Sequence, residues 1–68
     1  MVYVEIETGR RADGDGYGYV IHYYKDDKTF EYEGCDSVRG RYADDRDARD
    51  AAFDMLDEAY GKRGWRHV

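Results

Sequence analysis

The sequence predicts an α+β fold in which a three-stranded antiparallel meander is packed on one face by a C-terminal α-helix. Two hydrophobic periodicities indicate it. Apolar residues alternate with polar ones in the first half of the chain and recur at three- and four-residue steps in the second half. The 68 residues fit one domain, 1–68. So short a chain needs a few bulky core side chains, which eight Tyr, two Phe and one Trp supply.

The first strand is predicted over residues 2–7, where apolar and polar side chains alternate as in a half-buried strand. A polar, glycine-rich loop follows at residues 9–16, because Asp and Gly favour turns. The second strand is predicted over Tyr17–Tyr24, a segment rich in Tyr, Val and Ile. After the polar turn Lys25–Lys28, the third strand is predicted over Thr29–Glu33.

The hairpin between the second and third strands sets the two faces of the sheet. With residues 26 and 27 as the loop, the predicted cross-strand pairs are Tyr23–Phe30, Ile21–Tyr32, His22–Glu31 and Val20–Glu33. The face towards the helix then collects Val2, Val4, Ile6, Tyr19, Ile21, Tyr23, Phe30 and Tyr32. The outward face collects Glu5, Glu7, Glu31 and Glu33, with Tyr3, Val20, His22 and Tyr24. A slip of one residue would exchange the two sets.

The helix is predicted to run to about Tyr60, with Asp44 or Asp45 as its N-cap and Gly61 as its C-terminal stop. Its apolar side carries Ala48, Ala51, Ala52, Met55, Leu56 and Ala59. Its opposite side carries Asp47, Asp50, Asp54, Asp57 and Glu58. Small alanines let such a helix lie close to the sheet, and Trp65 is expected to fold back over an edge of the core.

The charge and cysteine content exclude several classes of protein. Sixteen acidic against eleven basic residues give a net charge of -5, which argues against direct binding of nucleic acid. Cys35 is the single cysteine and is expected to be a half-buried structural thiol, so no intrachain disulfide forms. The chain has neither a long apolar run nor a secretory signal pattern, which predicts a cytoplasmic protein without membrane contact. The protein is also expected to be a monomer.

No set of residues predicts catalysis, a cofactor or a metal. The run Asp13-Gly14-Asp15-Gly16 resembles the start of a calcium loop, but tyrosines stand where later ligands are needed, so it is interpreted as a turn. His22 beside Glu31 could form an acid–base pair, yet one sheet and one helix offer little concavity for a substrate. A surface cross-strand pair is the preferred interpretation, and the protein is predicted not to be an enzyme.

The acidic surfaces are the strongest functional candidate in the sequence. The predicted partner-binding residues are Glu5, Glu7, Glu31, Glu33, Asp47, Asp50, Asp54, Asp57, Glu58, Tyr3 and Tyr24. On the helix, carboxylates three and four residues apart lie about 5–6 Å from one another and approximate a row of phosphates. A partner with a basic groove would relieve their repulsion. The alternative is an acidic surface that serves only solvation.

In size, acidity, tyrosine content and order of elements, the chain resembles the small phage-encoded type I anti-CRISPR proteins. The resemblance covers the whole chain and rests on no diagnostic motif. It implies a DNA-mimicking inhibitor that binds the DNA-recruiting surface of a Cascade-type CRISPR complex in the host cytoplasm. The acidic residues named above would then make the contact.

Two other classes remain open. The chain is also similar to HicB-type antitoxins in the layout of Gly16-Tyr17-Gly18-Tyr19, Gly34-Cys35 and Asp50-Ala51-Ala52, without the proline-containing segment usual before Gly-Cys. That similarity implies a toxin-neutralising module that binds through shape and hydrogen bonds. The third class is a small enzyme of the RNase H architecture, which would need clustered carboxylates holding magnesium.

Overall fold

The computed structural model describes residues 1–68, which form five strands and one helix. The strands are β1 (Val2–Arg10), β2 (Tyr17–Tyr24), β3 (Tyr32–Cys35), β4 (Arg39–Tyr42) and β5 (Trp65–His67). Helix α1 (Asp45–Tyr60) lies between β4 and β5. The α+β class is confirmed. The predicted number of three strands is wrong, because β4 and β5 also join the sheet.

Strand β2 lies at the centre of the sheet. It pairs antiparallel with β1 on one side and with β3 and then β4, one after the other, on its other side. β5 joins the far edge of β1 and runs parallel to it. Residues 34–43, which lie between the predicted third strand and the predicted helix, contribute the end of β3 and all of β4. Four-residue strands are too short for a two-residue period to be read from sequence.

The register between β1 and β2 fixes which side chains are buried. Val4 lies opposite Tyr23, and Ile6 lies opposite Ile21, on the face that α1 covers. Glu5 and His22 lie opposite each other on the outward face, as predicted. The buried residues that pack together in the core are Val4, Tyr19, Ile21, Ala52 and Leu56.

The predicted register between β2 and β3 is wrong. In the structure Tyr24 lies opposite Tyr32 and His22 lies opposite Cys35, with a shift in register at Glu33. Tyr32 therefore lies on the outward face beside Tyr24, whereas the prediction placed it in the core opposite Ile21. Phe30, predicted to face Tyr23 in the core, is 60% exposed outside β3.

The side chain of Asp26 explains this difference. One of its carboxylate oxygens accepts hydrogen bonds from the N–H of Lys28 (2.9 Å), the N–H of Thr29 (2.8 Å) and the Thr29 hydroxyl (3.0 Å). The loop is closed further along, where the Lys25 N–H donates to the Glu31 carbonyl. These bonds build a longer loop than a two-residue turn, with Phe30 in the left-handed region at φ 55°, and β3 begins three residues later than predicted.

The predicted helix boundaries are confirmed. Asp44 is the N-cap, and its side chain accepts a hydrogen bond from the Asp47 N–H at 2.8 Å. Gly61 ends the helix with φ 82°, a left-handed conformation that glycine adopts without strain. Ala48, Ala52 and Leu56 are fully buried against the sheet at helical spacing, so the alanines do allow close packing.

The segment after α1 returns to the sheet through Gly64 and Trp65. A Cβ atom on Gly64 would overlap the carbonyl of Tyr60, so only glycine fits this turn. Trp65 packs against Phe53 with ring centroids 5.5 Å apart, and β5 follows. This placement confirms the expectation that Trp65 covers an edge of the core. The length and apolarity that a helix needs to cross a membrane are not found in α1.

Candidate partner-binding surfaces

The outward side of α1 carries an exposed row of carboxylates, here called the helix stripe. Its members are Asp47, Asp50, Asp54 and Glu58. They recur at steps of three and four residues, which places neighbours about 5–6 Å apart on a helix. None of these carboxylates lies within 4.0 Å of a Lys, Arg or His nitrogen. The helix stripe is therefore a row of negative charges that form no ion pairs with basic side chains.

Asp57 was predicted as a fifth member of this surface, but it differs from the other four in having a hydrogen-bond partner within the fold. One of its carboxylate oxygens accepts a hydrogen bond from the Trp65 indole N–H at 2.8 Å. The side chain is half-buried between α1 and the chain that leads into β5. Asp57 thus fixes Trp65 in place, and it lies at the flank of the helix stripe.

The net charge of the protein is located on the helix together with its N-cap residue Asp44. Residues 44–60 contain seven carboxylates and two arginines, which alone amount to -5. The rest of the chain contains nine acidic and nine basic residues and is neutral overall. All seven ion pairs within 4.0 Å lie in this neutral part. Acidity is therefore concentrated on one element rather than spread over the surface.

Of the other predicted carboxylates, Glu5 and Glu7 lie on the outward face of the sheet, as predicted, whereas Glu31 precedes β3 and lies outside the sheet, and most of the four have partners. Glu7 lies 2.8 Å from His22 Nε2, and Glu31 lies 3.6 Å from Lys25 Nζ. Glu5 accepts a long hydrogen bond from the Tyr24 hydroxyl at 3.4 Å. Tyr3 is half-buried opposite Tyr24, and Glu33 is exposed at the register shift. This face offers less unbalanced charge than the helix stripe does.

His22 is at the centre of a hydrogen-bonded cluster on the outward face. Its Nδ1 lies 2.9 Å from the Tyr32 hydroxyl and its Nε2 lies 2.8 Å from Glu7. The predicted pairing with Glu31 is therefore wrong, because the register brings Glu7 and Tyr32 to His22 instead. A hydrogen bond with Cys35 and desolvation raise the pKa of Tyr32 to about 12. Cys35 is exposed, not half-buried as expected.

The glycine-rich loop was predicted over residues 9–16, but β1 continues through Arg10. Residues 11–16 form the turn, which is held by an arginine. Arg41 Nη1 donates to Asp13 at 2.9 Å and to Asp15 at 3.2 Å. The Asp15 N–H also donates to Asp13, and this bond together with Arg41 lowers the pKa of Asp13. These carboxylates hold a loop against β4. Nowhere do three or more His, Cys, Asp or Glu side chains form a group that could hold a metal ion.

A pH-dependent contribution to stability is expected from Asp26. Hydrogen bonds from the Thr29 and Lys28 N–H groups lower its pKa below the ordinary 3.8. A lowered pKa stabilises the fold above the unfolded value and loses this effect as pH falls through the folded value. Asp26→Asn is therefore expected to be less stable than the wild type at neutral pH and to match it once the pH has fallen below the folded pKa of Asp26. Urea unfolding across this range measures the difference, and a difference independent of pH would contradict it.

The helix stripe is expected to lower the stability of the free protein. Asp54 lies one turn from both Asp50 and Glu58, and like charges at this spacing repel. Glu58 also stands in the last turn, where a negative charge opposes the helix dipole. Asp54→Lys should raise the midpoint of thermal unfolding by about 5 °C, measured by circular dichroism at low salt. Asp54→Asn is the control and should give about half the gain. An unchanged midpoint would show that the repulsion is negligible.

No protein-family model, curated protein or solved structure matches this chain. The candidate surfaces therefore rest on the geometry of the chain itself. Sequence reasoning found the helix stripe but missed two features of the site. The contact of Asp57 with Trp65 and the pairing of Glu7 with His22 both depend on how distant elements meet. The alternation in β1 placed Glu7 on the correct face, and only the neighbouring strand gave it a partner.

Proposed function

We propose that this protein is a non-enzymatic acidic inhibitor whose helix α1 binds a basic, nucleic-acid-binding surface of a protein partner. The observation that carries the proposal is the location of the whole net charge of -5 on residues 44–60, with the helix stripe free of ion pairs. Elsewhere the chain matches its acids with bases. A surface that served only to solvate the fold would not need this segregation.

The spacing of the helix stripe supports a partner that ordinarily holds phosphates. Asp47, Asp50, Asp54 and Glu58 present one negative charge per turn along the exposed side of a sixteen-residue helix. Their mutual repulsion is relieved when basic side chains approach, so binding removes an unfavourable electrostatic energy that is present in the free protein. Electrostatic attraction of this kind also speeds association. The protein would contact no nucleic acid itself.

A Cascade-type CRISPR complex is the proposed partner, on the strength of the resemblance to type I anti-CRISPR proteins. Its DNA-recruiting surface is the kind of basic groove that the helix stripe fits. The outward sheet face would supply secondary contacts through Tyr3, Tyr24 and the unpaired Glu33. On this proposal the protein acts as a monomer in the cytoplasm of the host cell.

The salt dependence of binding tests the proposal. The purified protein is immobilised, and association of a type I Cascade complex or of proteins from a host lysate is measured from about 0.05 M to about 0.5 M NaCl. We expect affinity to fall steeply, because each neutralised charge contributes a salt-dependent term. Affinity that stays constant over this range would exclude binding through the helix stripe.

The cluster around His22 favours a second candidate, a toxin-neutralising module of the HicB kind. Tyr32 is 50% exposed and lies edge-on to Tyr24, with ring centroids 5.5 Å apart. Such a surface binds through packing and hydrogen bonds, and its affinity tolerates salt. Tyr32→Ala separates the two functions, because it would abolish toxin binding and leave association through the helix stripe intact.

A further inference from the structure

One edge of the sheet is open along the last part of β1. β5 pairs with this edge only at Val2–Val4. The Val68 N–H donates to the Val4 carbonyl at 2.8 Å. The Ile6 N–H then donates to the Nε2 atom of His67 at 3.2 Å. Beyond this point, at residues 7–10, no strand lies on the outer side of β1.

The open edge presents unpaired main-chain groups in strand geometry. The hydrogen bonds of Val2 and Val4 show that even-numbered residues of β1 direct their N–H and C=O groups towards this edge. By the same alternation, the Ile6 carbonyl, both groups of Thr8 and the Arg10 N–H point away from β2. Natural edge strands are commonly blunted by Pro, by charged side chains or by a bulge. β1 contains no Pro, its register with β2 is regular, and the charged residues in its open part are Glu7 and Arg10.

A cleft of about 270 Å³ lies beside the open edge, on the outward face of the sheet. Gly9 and Gly18 are paired across β1 and β2 in its floor. A Cβ atom on Gly9 would meet nothing within 4 Å, whereas the Val38 side chain already lies over Gly18, so the open space is above Gly9. Val20, Val38 and Arg11 also line it. The volume is below the roughly 300–1,000 Å³ typical of small-molecule sites, and it suits one large side chain.

We infer that β1 is a docking site for an extended segment of a partner protein. The segment would add a strand along residues 6–10 and place a large aromatic side chain over Gly9. In this mode of recognition, main-chain hydrogen bonds supply affinity and side-chain pockets supply preference. An aromatic residue opposite a glycine fills the space that the missing side chain leaves. This site is separate from the helix stripe and does not depend on the function proposed for it.

A second copy of the chain fits this edge less well than a foreign segment does. Antiparallel pairing of two β1 strands about Thr8 would bring residue 11 of one copy opposite Glu5 of the other. In the structure Val68 already lies opposite Glu5, because it follows His67, which pairs with Val4. Pairing about Gly9 would set glycine against glycine and leave the cleft empty. A foreign segment meets neither obstacle.

The test is a titration of the full-length ¹⁵N-labelled protein with a synthetic peptide of alternating threonine and valine that has a central tryptophan. We expect the amide signals of Thr8 and Arg10 to shift and to gain protection from hydrogen exchange. A peptide with alanine in place of the tryptophan should bind about tenfold more weakly, because it leaves the cleft empty. Unmoved Thr8 and Arg10 signals at saturating peptide would overturn the proposal.

Two variants separate the edge from the cleft. Thr8→Pro removes an outward N–H and leaves the bonds between β1 and β2 intact, so it should fold and bind the tryptophan peptide at least about tenfold more weakly. Gly9→Val fills the cleft, and its Cβ meets nothing within 4 Å. It should lose the preference for tryptophan over alanine. If Gly9→Val kept that preference, or a folded Thr8→Pro bound equally well, the inference would be wrong.

Discussion

Reversal of Asp47, Asp50 and Asp54 to lysine is expected to lower the affinity for the basic partner at least about a hundredfold. The change replaces attraction with like-charge repulsion along most of the helix stripe, and it removes the field that steers the two proteins together. Association rates measured by surface plasmon resonance at low salt should show most of the effect. The variant should remain folded, because these side chains make no ion pairs in the free protein.

A second triple variant controls for overall charge. Reversal of Glu5, Glu31 and Glu33 to lysine changes the net charge by the same amount, but these positions lie outside α1. It should weaken binding much less than the helix variant does. If both variants lose affinity equally, overall charge rather than the helix stripe determines binding. If the helix variant binds normally, α1 is not the contact surface.

Truncation of Leu56 to alanine is expected to have the largest effect on stability. Leu56 is fully buried and packs with Val4, Ile21 and Ala52 between α1 and the sheet. Removing a buried leucine costs about 2–5 kcal/mol, and a domain of this size has only about 3–5 kcal/mol of stability in total. The variant should therefore be largely unfolded at 25 °C, which far-UV circular dichroism and urea titration would show.

Leu56→Met is the matched control, because it conserves volume and should cost less than about 1.5 kcal/mol. An alanine variant that melts within a few degrees of the wild type would mean that α1 does not hold the core together. Leu56→Ala and the lysine variant of the helix stripe should both lose binding to the partner, for reasons that can be distinguished. The helix-stripe variant fails to bind while folded, whereas the Leu56 variant fails because the helix itself is lost.

The parts of the fold that were predictable carry their signals locally. In β1, β2 and α1 the hydrophobic pattern extends over six or more residues, and Asp44 and Gly61 mark the helix ends by side-chain and backbone chemistry. The helix stripe follows from the same periodicity, because the side opposite the buried alanines must face water. These predictions needed no knowledge of how the elements meet.

The parts that were not predictable depend on contacts between distant residues. The β2–β3 register was wrong because the side chain of Asp26 lengthens the loop. β5 has three residues and forms only because β1 offers it an edge. The pairing of charges outside α1 likewise depends on the fold, as in the contact of Arg41 with Asp13, which are 28 residues apart. The sequence alone gives the number of charged residues, and only the fold shows which of them lack an ion-pair partner.

Competition with nucleic acid tests most directly whether α1 occupies a basic surface that ordinarily holds phosphates. The measurement is a fluorescence-anisotropy titration in which the protein is added to a Cascade complex carrying labelled target duplex. We expect wild-type protein to displace the duplex and the Asp47/Asp50/Asp54 lysine variant to leave it bound. Binding of the wild-type protein beside an undisturbed duplex would contradict the proposal, because the two ligands would then use different surfaces.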